Sequence, residues 1–253
     1  MDGTLSDEEI LRYNRQIVLK DFDFERQEQL KTSRVLIAGL GGLGCAVAPY
    51  LVAAGVGEMT LCDFDTVSVS NLQRQILHND ETLGMPKTAS ALLALEKLNP
   101  FVRLIADNRA LSEENADEQV KHQHAVVDCS DNVATRELLN RICYRHKVPL
   151  ISGAAIRMEG QLSVFRWHDD EPCYRCISRL FGDQGLSCIE AGVMAPLVGM
   201  IGTLQAMETL KVLTGYGESP RGKLLLIDAM VTRFREFRVP RDPHCEVCGT
   251  KSA

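Results

Sequence analysis

The sequence lacks several features that would place it in a class at once. It carries no basic excess: 28 Lys and Arg stand against 34 Asp and Glu, for a formal charge of -6. That balance argues against a protein that coats nucleic acid. It has no long apolar run suited to a bilayer. The longest uncharged stretch, Ala191 to Met207, is borderline in length, is interrupted by glycines and Gln205, and reads as a buried helix. Met1 to Glu9 is polar and acidic, so no export signal is expected there. No Pro-, Gly- or Ser-rich linker divides the chain, and no internal repeat is present. Hydrophobic residues at 45% and charged residues at 25% exclude disordered and collagen-like classes. A chain of 253 residues with this composition can bury a core without disulfide staples, and one continuous domain is expected. What it does have is nine cysteines. Without an export signal they point to metal or thiol chemistry in a reducing compartment, hence to a cytoplasmic protein.

The hydrophobic pattern alternates between two periods. Ser6-Asp7-Glu8-Glu9 reads as a capping box opening an amphipathic helix, and Gln27 to Lys31 as a second short helix. Strands are expected at Arg34–Ala38, Met59–Cys62, Arg103–Ala106, Ala125–Cys129 and from Pro149. Helices are expected at Leu43–Ala54, Lys87–Leu98, Glu113–Lys121 and Ala134–Arg145, with Pro49 an irregularity in the first. Strands separated by helical patterns imply βαβ units and a mostly parallel sheet with helices on both faces. Beyond residue 155 the rhythm changes. Gln161–Trp167, Leu224–Ile227 and Phe234–Val239 read as antiparallel strands extending the sheet, with a long helix at Pro196–Leu213 ending at Gly215. The chain thus divides into N-terminal helices (1–32), a βαβ half (33–155) and an antiparallel half (156–253).

Gly39-Leu40-Gly41-Gly42-Leu43-Gly44 matches G-x-G-x-x-G between an expected strand and an expected helix. In that context glycines let the backbone approach a phosphate, and the helix N-terminus offers N–H groups to it. Asp63 ends the second strand, 19 residues after Gly44, where an acid binds ribose hydroxyls. The fold expected is therefore Rossmann-like α/β. The motif alone serves NAD as well as ATP, and a glycine turn used only for packing is the bland alternative.

Three further charges favour ATP. Asn71 and Arg74, within Ser68 to Gln75, would share a face if that segment is helical. Lys87 opens the next helix after Pro86, and Asp131-Asn132 follow the strand ending at Cys129. Two cations and a carboxylate at strand and helix ends suit a triphosphate with Mg2+. Singly, each is more often a solvated surface charge.

Cys173-x-x-Cys176 and Cys245-x-x-Cys248 supply four thiolates in turn-like surroundings, suited to a closed tetrahedral zinc site. Since 69 positions separate Cys176 from Cys245, the fold must bring the pairs together. A redox dithiol in one pair is the alternative. Cys45, Cys62, Cys129 and Cys143 fall in expected helices and strands and read as packing residues. Cys188, after an expected exposed loop, is open between a reactive and an ordinary thiol.

Together the glycine loop, Ser70-Asn71-Leu72-Gln73-Arg74-Gln75, Pro86-Lys87, Asp128-Cys129-Ser130-Asp131-Asn132 and the cysteine pairs resemble the MoeB/ThiF family, bacterial relatives of ubiquitin-activating enzymes. The resemblance runs from about Leu11 to Gly249. Gly153 to Gln161 and Phe22-Asp23-Phe24 resemble the molybdenum-cofactor branch rather than the thiamine branch. The resemblance implies an adenylyltransferase. Its substrate would be the C-terminal glycine of a small ubiquitin-like sulfur-carrier protein ending in Gly-Gly, the small subunit of molybdopterin synthase. A separate sulfurtransferase would act next. The resemblance assigns Arg74 and Lys87 to the phosphates, Asp131 to Mg2+ and Asp63 to the ribose. Gly42, Ser70, Asn71, Leu72, Gln73 and Asn132 would complete the ATP site. Arg15 would reach the ATP site of a second copy in a homodimer. Cys188 stands where ubiquitin-activating relatives carry a thioester cysteine, but adenylation needs no thiol. Two competing readings remain at this point, an NAD oxidoreductase and a non-enzymatic zinc adaptor.

Overall fold

A computed structural model describes residues 3–180 and 191–249. Helices α1 (Asp7–Ile17) and α2 (Asp23–Thr32) precede strand β1 (Arg34–Ala38). The Ser6 capping box forms as its sequence predicts: the Ser6 hydroxyl takes the Glu9 amide while the Glu9 carboxylate takes the Ser6 amide. The second helix starts four residues earlier than the sequence pattern suggests, because Asp23 and Glu25 lie at its electropositive end.

The chain then alternates through α3 (Gly42–Ala54), β2 (Glu58–Cys62), α4 (Lys87–Leu98), β3 (Arg103–Asp107), α5 (Glu113–Val120), β4 (Ala125–Asp128), α6 (Val133–His146) and β5 (Leu150–Ile156). After β6 (Glu159–Phe165) come the short α7 (Tyr174–Ser178), the long α8 (Ala195–Thr214), β7 (Lys223–Asp228) and β8 (Arg233–Arg238). The eight strands form one sheet in the order β3-β2-β1-β4-β5-β6-β7-β8. The first five are parallel, and β6, β7 and β8 each pair antiparallel. Helix α3 contains Pro49 and still runs to Gly55, which closes it at φ +88. Gly215 closes α8 in the same left-handed way.

The central strands are apolar on both faces, as a covered parallel sheet requires. Alternate residues enter two separate cores. Val35, Ile37, Val127 and Ile151 pack with α3, α4 and α8 on one side. Leu36, Ala38, Val126 and Leu150 pack with α5, α6 and the four paired cysteines on the other. The long uncharged stretch is the buried helix expected of it, with Leu197, Val198, Ile201 and Gln205 all inside. No helix among the described residues is long and apolar enough to cross a membrane.

This topology decides where a site can form. Strand β1 feeds α3 on one face, while its neighbour β4 feeds α6 on the other. The two chains diverge beyond their strand ends and leave a crevice, the position at which open α/β sheets bind ligands.

Candidate functional site

The crevice is a cleft of about 1090 Å³ at the carboxyl ends of β1, β2, β4 and β5. The glycine loop forms its floor. Gly39 adopts φ +99, and a Cβ there would meet the Cys129 carbonyl oxygen at 2.8 Å, so the β1 and β4 ends can approach only with glycine at this position. A Cβ on Gly44 would sit 2.0 Å from the Gly39 carbonyl oxygen, which makes Gly44 the contact between loop and helix. Gly41 has open space on its cleft side, with the Gln75 amide 3.7 Å from where its Cβ would be.

Among the residues singled out from sequence, Gly42, Asp63, Arg74, Lys87, Asp131 and Asn132 line this one cleft. Five others do not. Arg15 is exposed on α1, and Ser70, Asn71, Leu72 and Gln73 lie outside the cleft wall. Residues Val69–Asn71 form a 3-10 turn rather than an α-helix. There the Asn71 carboxamide oxygen accepts the Ser68 amide at 3.2 Å, so its side chain caps the turn instead of standing beside Arg74. Arg74 donates to the Ser70 carbonyl at 3.0 Å and keeps part of its guanidinium toward the cleft.

Electrostatics divides the cleft into a tied wall and an open one. Asp63 accepts the Leu40 amide at 2.7 Å through Oδ2 and the Asp65 amide at 2.9 Å through Oδ1. Lys87 reaches Asp65 at 2.8 Å and Asp63 at 3.9 Å, with its side chain only 7% exposed. An ammonium has three donors, so one remains for a ligand beyond these two acids. Opposite, the exposed Asp131 carboxylate makes no hydrogen bond or ion pair with any described residue. Asn132 caps α6, its carboxamide oxygen accepting the Thr135 amide at 2.9 Å. Beneath them Asp128 is buried and held by the Ser130 and Ser152 hydroxyls at 2.6 and 2.8 Å.

Several lining residues escaped the sequence reading. Arg136, one turn into α6, donates to the Ser130 carbonyl at 2.6 Å and adds a cation beside Asp131. Its spacing of four from Asn132 was the available signal. Asp65 is recognisable only through its contact with Lys87. Gln75 is buried with its Oε1 lacking a partner, an orphaned acceptor beside the glycine loop. Arg157 turns the β5–β6 hairpin at φ +52, and its amide donates to the Gly192 carbonyl at 2.7 Å. At the rim, Arg109 binds Asp107 at 2.7 Å and holds that carboxyl below the usual carboxylate range.

The cysteines separate by environment. Sγ atoms of Cys173, Cys176, Cys245 and Cys248 all lie within 4.8 Å of one another, and all four residues are buried. Adjacent pairs measure 4.0, 3.6 and 3.4 Å. A tetrahedron of thiolates around zinc has edges of about 3.8 Å, given Zn–S bonds of about 2.3 Å. The donor set, its spacing and its burial therefore fit a closed zinc site. Arg175 bridges Glu137 and Glu246 at 3.3 and 2.8 Å, tying the two cysteine knuckles to α6. The other thiols are apart from this cluster. Burial pushes Cys45 and Cys62 up to about 12 and raises Cys129 and Cys143 well above the ordinary thiol value. That keeps them as neutral packing groups. Cys188 lies outside the described residues.

Comparisons with known proteins agree with this picture. The model of the ThiF family matches residues 13–247. The chain is 59% identical over 245 residues to the molybdopterin-synthase adenylyltransferase of Escherichia coli strain K12, covering 97% of this chain and 98% of that protein. It is 43% identical over 250 residues to the adenylyltransferase and sulfurtransferase MOCS3 of Drosophila persimilis, covering 98% of this chain but 55% of the fly protein. Among solved structures, that of selenomethionine PaaA superposes with a TM-score of 0.80 at 25% identity, over 96% of this chain and 77% of its own.

Proposed function

The chain belongs to the ThiF family, and from that premise we propose that it adenylates the C-terminal glycine of a small ubiquitin-like sulfur-carrier protein. As an adenylyltransferase resembling its molybdopterin-synthase relatives, it would serve molybdenum-cofactor synthesis. The observation that carries the reading is the meeting of Arg74, Lys87 and Asp131 around the glycine loop in one cleft. A hydride-transfer site has less need of that set of charges.

The chemistry follows from charge. A carrier carboxylate oxygen attacks the α-phosphorus of ATP, a P–O bond forms, and the bond from the α-phosphorus to the bridging oxygen breaks. Pyrophosphate leaves with the electron pair, and the carrier becomes an acyl-adenylate. An anion attacking a polyanion is opposed by repulsion, which fixed cations in a partly desolvated cleft offset. Arg74 and the free donor of Lys87 supply that charge, with Arg136 beside them. The amides at Gly42 and the start of α3 face the phosphates, Asp63 takes the ribose hydroxyls, and Asn132 shapes the far wall. Ser70 and Asn71 in the 3-10 turn, with Leu72 and Gln73 following it, support Arg74. Asp131, with its carboxylate unshared, holds Mg2+. When bound, Mg2+ draws charge off the departing pyrophosphate.

Arg15 completes the site from a second copy. Around it, Leu11 on α1 and Val18 and Leu19 just past its end are 76%, 66% and 46% exposed, an apolar surface suited to burial in a homodimer. The four paired cysteines hold structural zinc and pin the C-terminal segment against α6. One continuous sheet supports a single adenylation domain, its antiparallel half (156–253) receiving the carrier. Buried thiols kept for a metal suit the reducing cytoplasm. A separate sulfurtransferase then consumes the adenylate.

Pyrophosphate–ATP exchange with purified ubiquitin-like carriers ending in Gly-Gly tests the proposal. Carrier-dependent exchange is expected. No exchange with any such carrier overturns it.

A further inference from the structure

The glycine loop rests on a buried support that its motif does not contain. His78 is 5% exposed and does not line the cleft. Its Nε2 lies 3.2 Å from the Leu40 carbonyl oxygen, and its Nδ1 lies 2.8 Å from the Ser90 hydroxyl. A carbonyl only accepts, so Nε2 carries the hydrogen and Nδ1 of the neutral ring accepts from Ser90. Burial, with Lys87 nearby, lowers the pKa of this ring and keeps it neutral. The same carbonyl also takes the Cys45 thiol at 3.3 Å, while the Leu40 amide is held by Asp63 at 2.7 Å.

Leu40 is the one residue between Gly39 and Leu43 that does not line the cleft. Its carbonyl belongs to the peptide unit whose N–H is that of Gly41. In a planar trans peptide the C=O and N–H point in opposite directions. Anchoring the Leu40 oxygen on the buried side therefore turns the Gly41 N–H toward the cleft, where it donates to no described residue. Without the anchor this unit could rotate and present its carbonyl to an anion.

We propose that His78 is a positioning residue for nucleotide binding, orienting the Gly41 N–H toward a phosphate by holding the Leu40 carbonyl. The assignment rests on the ATP reading above, and His78 itself touches no ligand.

Calorimetric titration of the full chain with Mg-ATP and with adenosine tests it, using His78→Asn and His78→Gln. Asparagine keeps a polar group near Nδ1 for Ser90 but stops short of Leu40. Glutamine places an N–H donor near the Nε2 position. His78→Asn should weaken ATP binding about 10-fold, the worth of one ordered hydrogen bond and its orientation, with adenosine affinity unchanged. His78→Gln should recover ATP affinity to within about 3-fold of the parent. Undiminished ATP binding by His78→Asn overturns the proposal. So does an equal loss of ATP and adenosine affinity, or a glutamine variant no better than asparagine. If the parent chain binds no ATP, the nucleotide reading fails first and takes this assignment with it.

Discussion

The Lys87 ammonium lies 2.8 Å from the Asp65 carboxylate, and this contact joins the start of α4 to the loop after β2. Nothing within either segment requires the pairing. It holds a cation at the cleft wall with one donor to spare, so the charge is in place before a ligand arrives. Lys87→Met keeps the stem and removes the charge. It should lower pyrophosphate exchange by about 100-fold or more, as removal of a preorganised electrostatic group does. Asp65→Asn should leave most of the activity, since Asp63 still faces the lysine at 3.9 Å. Exchange rates for the two variants measured side by side decide the point, and equal losses would sink the assignment of Lys87 to the phosphates.

Asp131 contrasts with Lys87 in having no partner among the described residues and an exposed carboxylate. Asp131→Ala should therefore abolish exchange at every Mg2+ concentration while shifting unfolding free energy by less than about 0.5 kcal/mol. Retained activity would show that Mg2+ is held elsewhere.

The cysteine cluster should carry about one zinc per chain, as elemental analysis would read. Cys245→Ala should lose the metal. Chelation of the parent should lower its melting temperature, because metal bound only to the folded state stabilises it. A metal-free parent of unchanged stability would overturn the zinc assignment.

Gly44→Ala brings a methyl group within 2.0 Å of the Gly39 carbonyl oxygen, a backbone atom that cannot step aside. Denaturant unfolding should show a loss of about 3 kcal/mol, the upper range for overpacking. Gly84→Ala is a control for space alone: its Cβ meets nothing within 4 Å, although φ is +79. Its cost should be smaller and purely conformational.

Stability should also fall on mild acidification. Burial lowers the pKa of His78, and partial desolvation with the nearby Arg34 charge lowers that of the more exposed His124, whose Nδ1 accepts the Arg34 amide at 3.0 Å. The unfolded chain then binds more protons than the folded one below the ordinary histidine value. The histidine contribution is whole above about pH 6.5 and is lost as pH falls toward the depressed folded values. Unfolding midpoints measured from pH 7.5 down to pH 5.5 should decline, and His124→Gln should flatten part of the slope. A midpoint that holds constant over that range contradicts the assignment.

Much of the architecture is legible in the sequence because it is local. The Ser6 box, the strand Arg34–Ala38 and the helix Lys87–Leu98 each follow from short-range spacing and capping, and the structure has them within a residue or two. The glycine loop is likewise readable, since strand, turn and helix are contiguous. Segments without a strong period are left open by the sequence: Val69–Asn71 is a 3-10 turn, not the helix on which Asn71 and Arg74 would share a face, and its Asn71 side chain satisfies Ser68, a local bond that competes with helix.

By itself the sequence determined most of the strands and long helices, where glycine is obligatory, and that four cysteines come in two knuckles. Tertiary structure alone decided what meets what. The order β3-β2-β1-β4 creates the switch point, brings Asp131 opposite Lys87, and sets Cys173 3.6 Å from Cys245 across 72 positions. His78 under Leu40, 38 positions away, is of the same kind. The physical reason is that side-chain period and capping act over one or two turns. Strand pairing, burial and charge neutralisation depend on contacts whose partners no local pattern names.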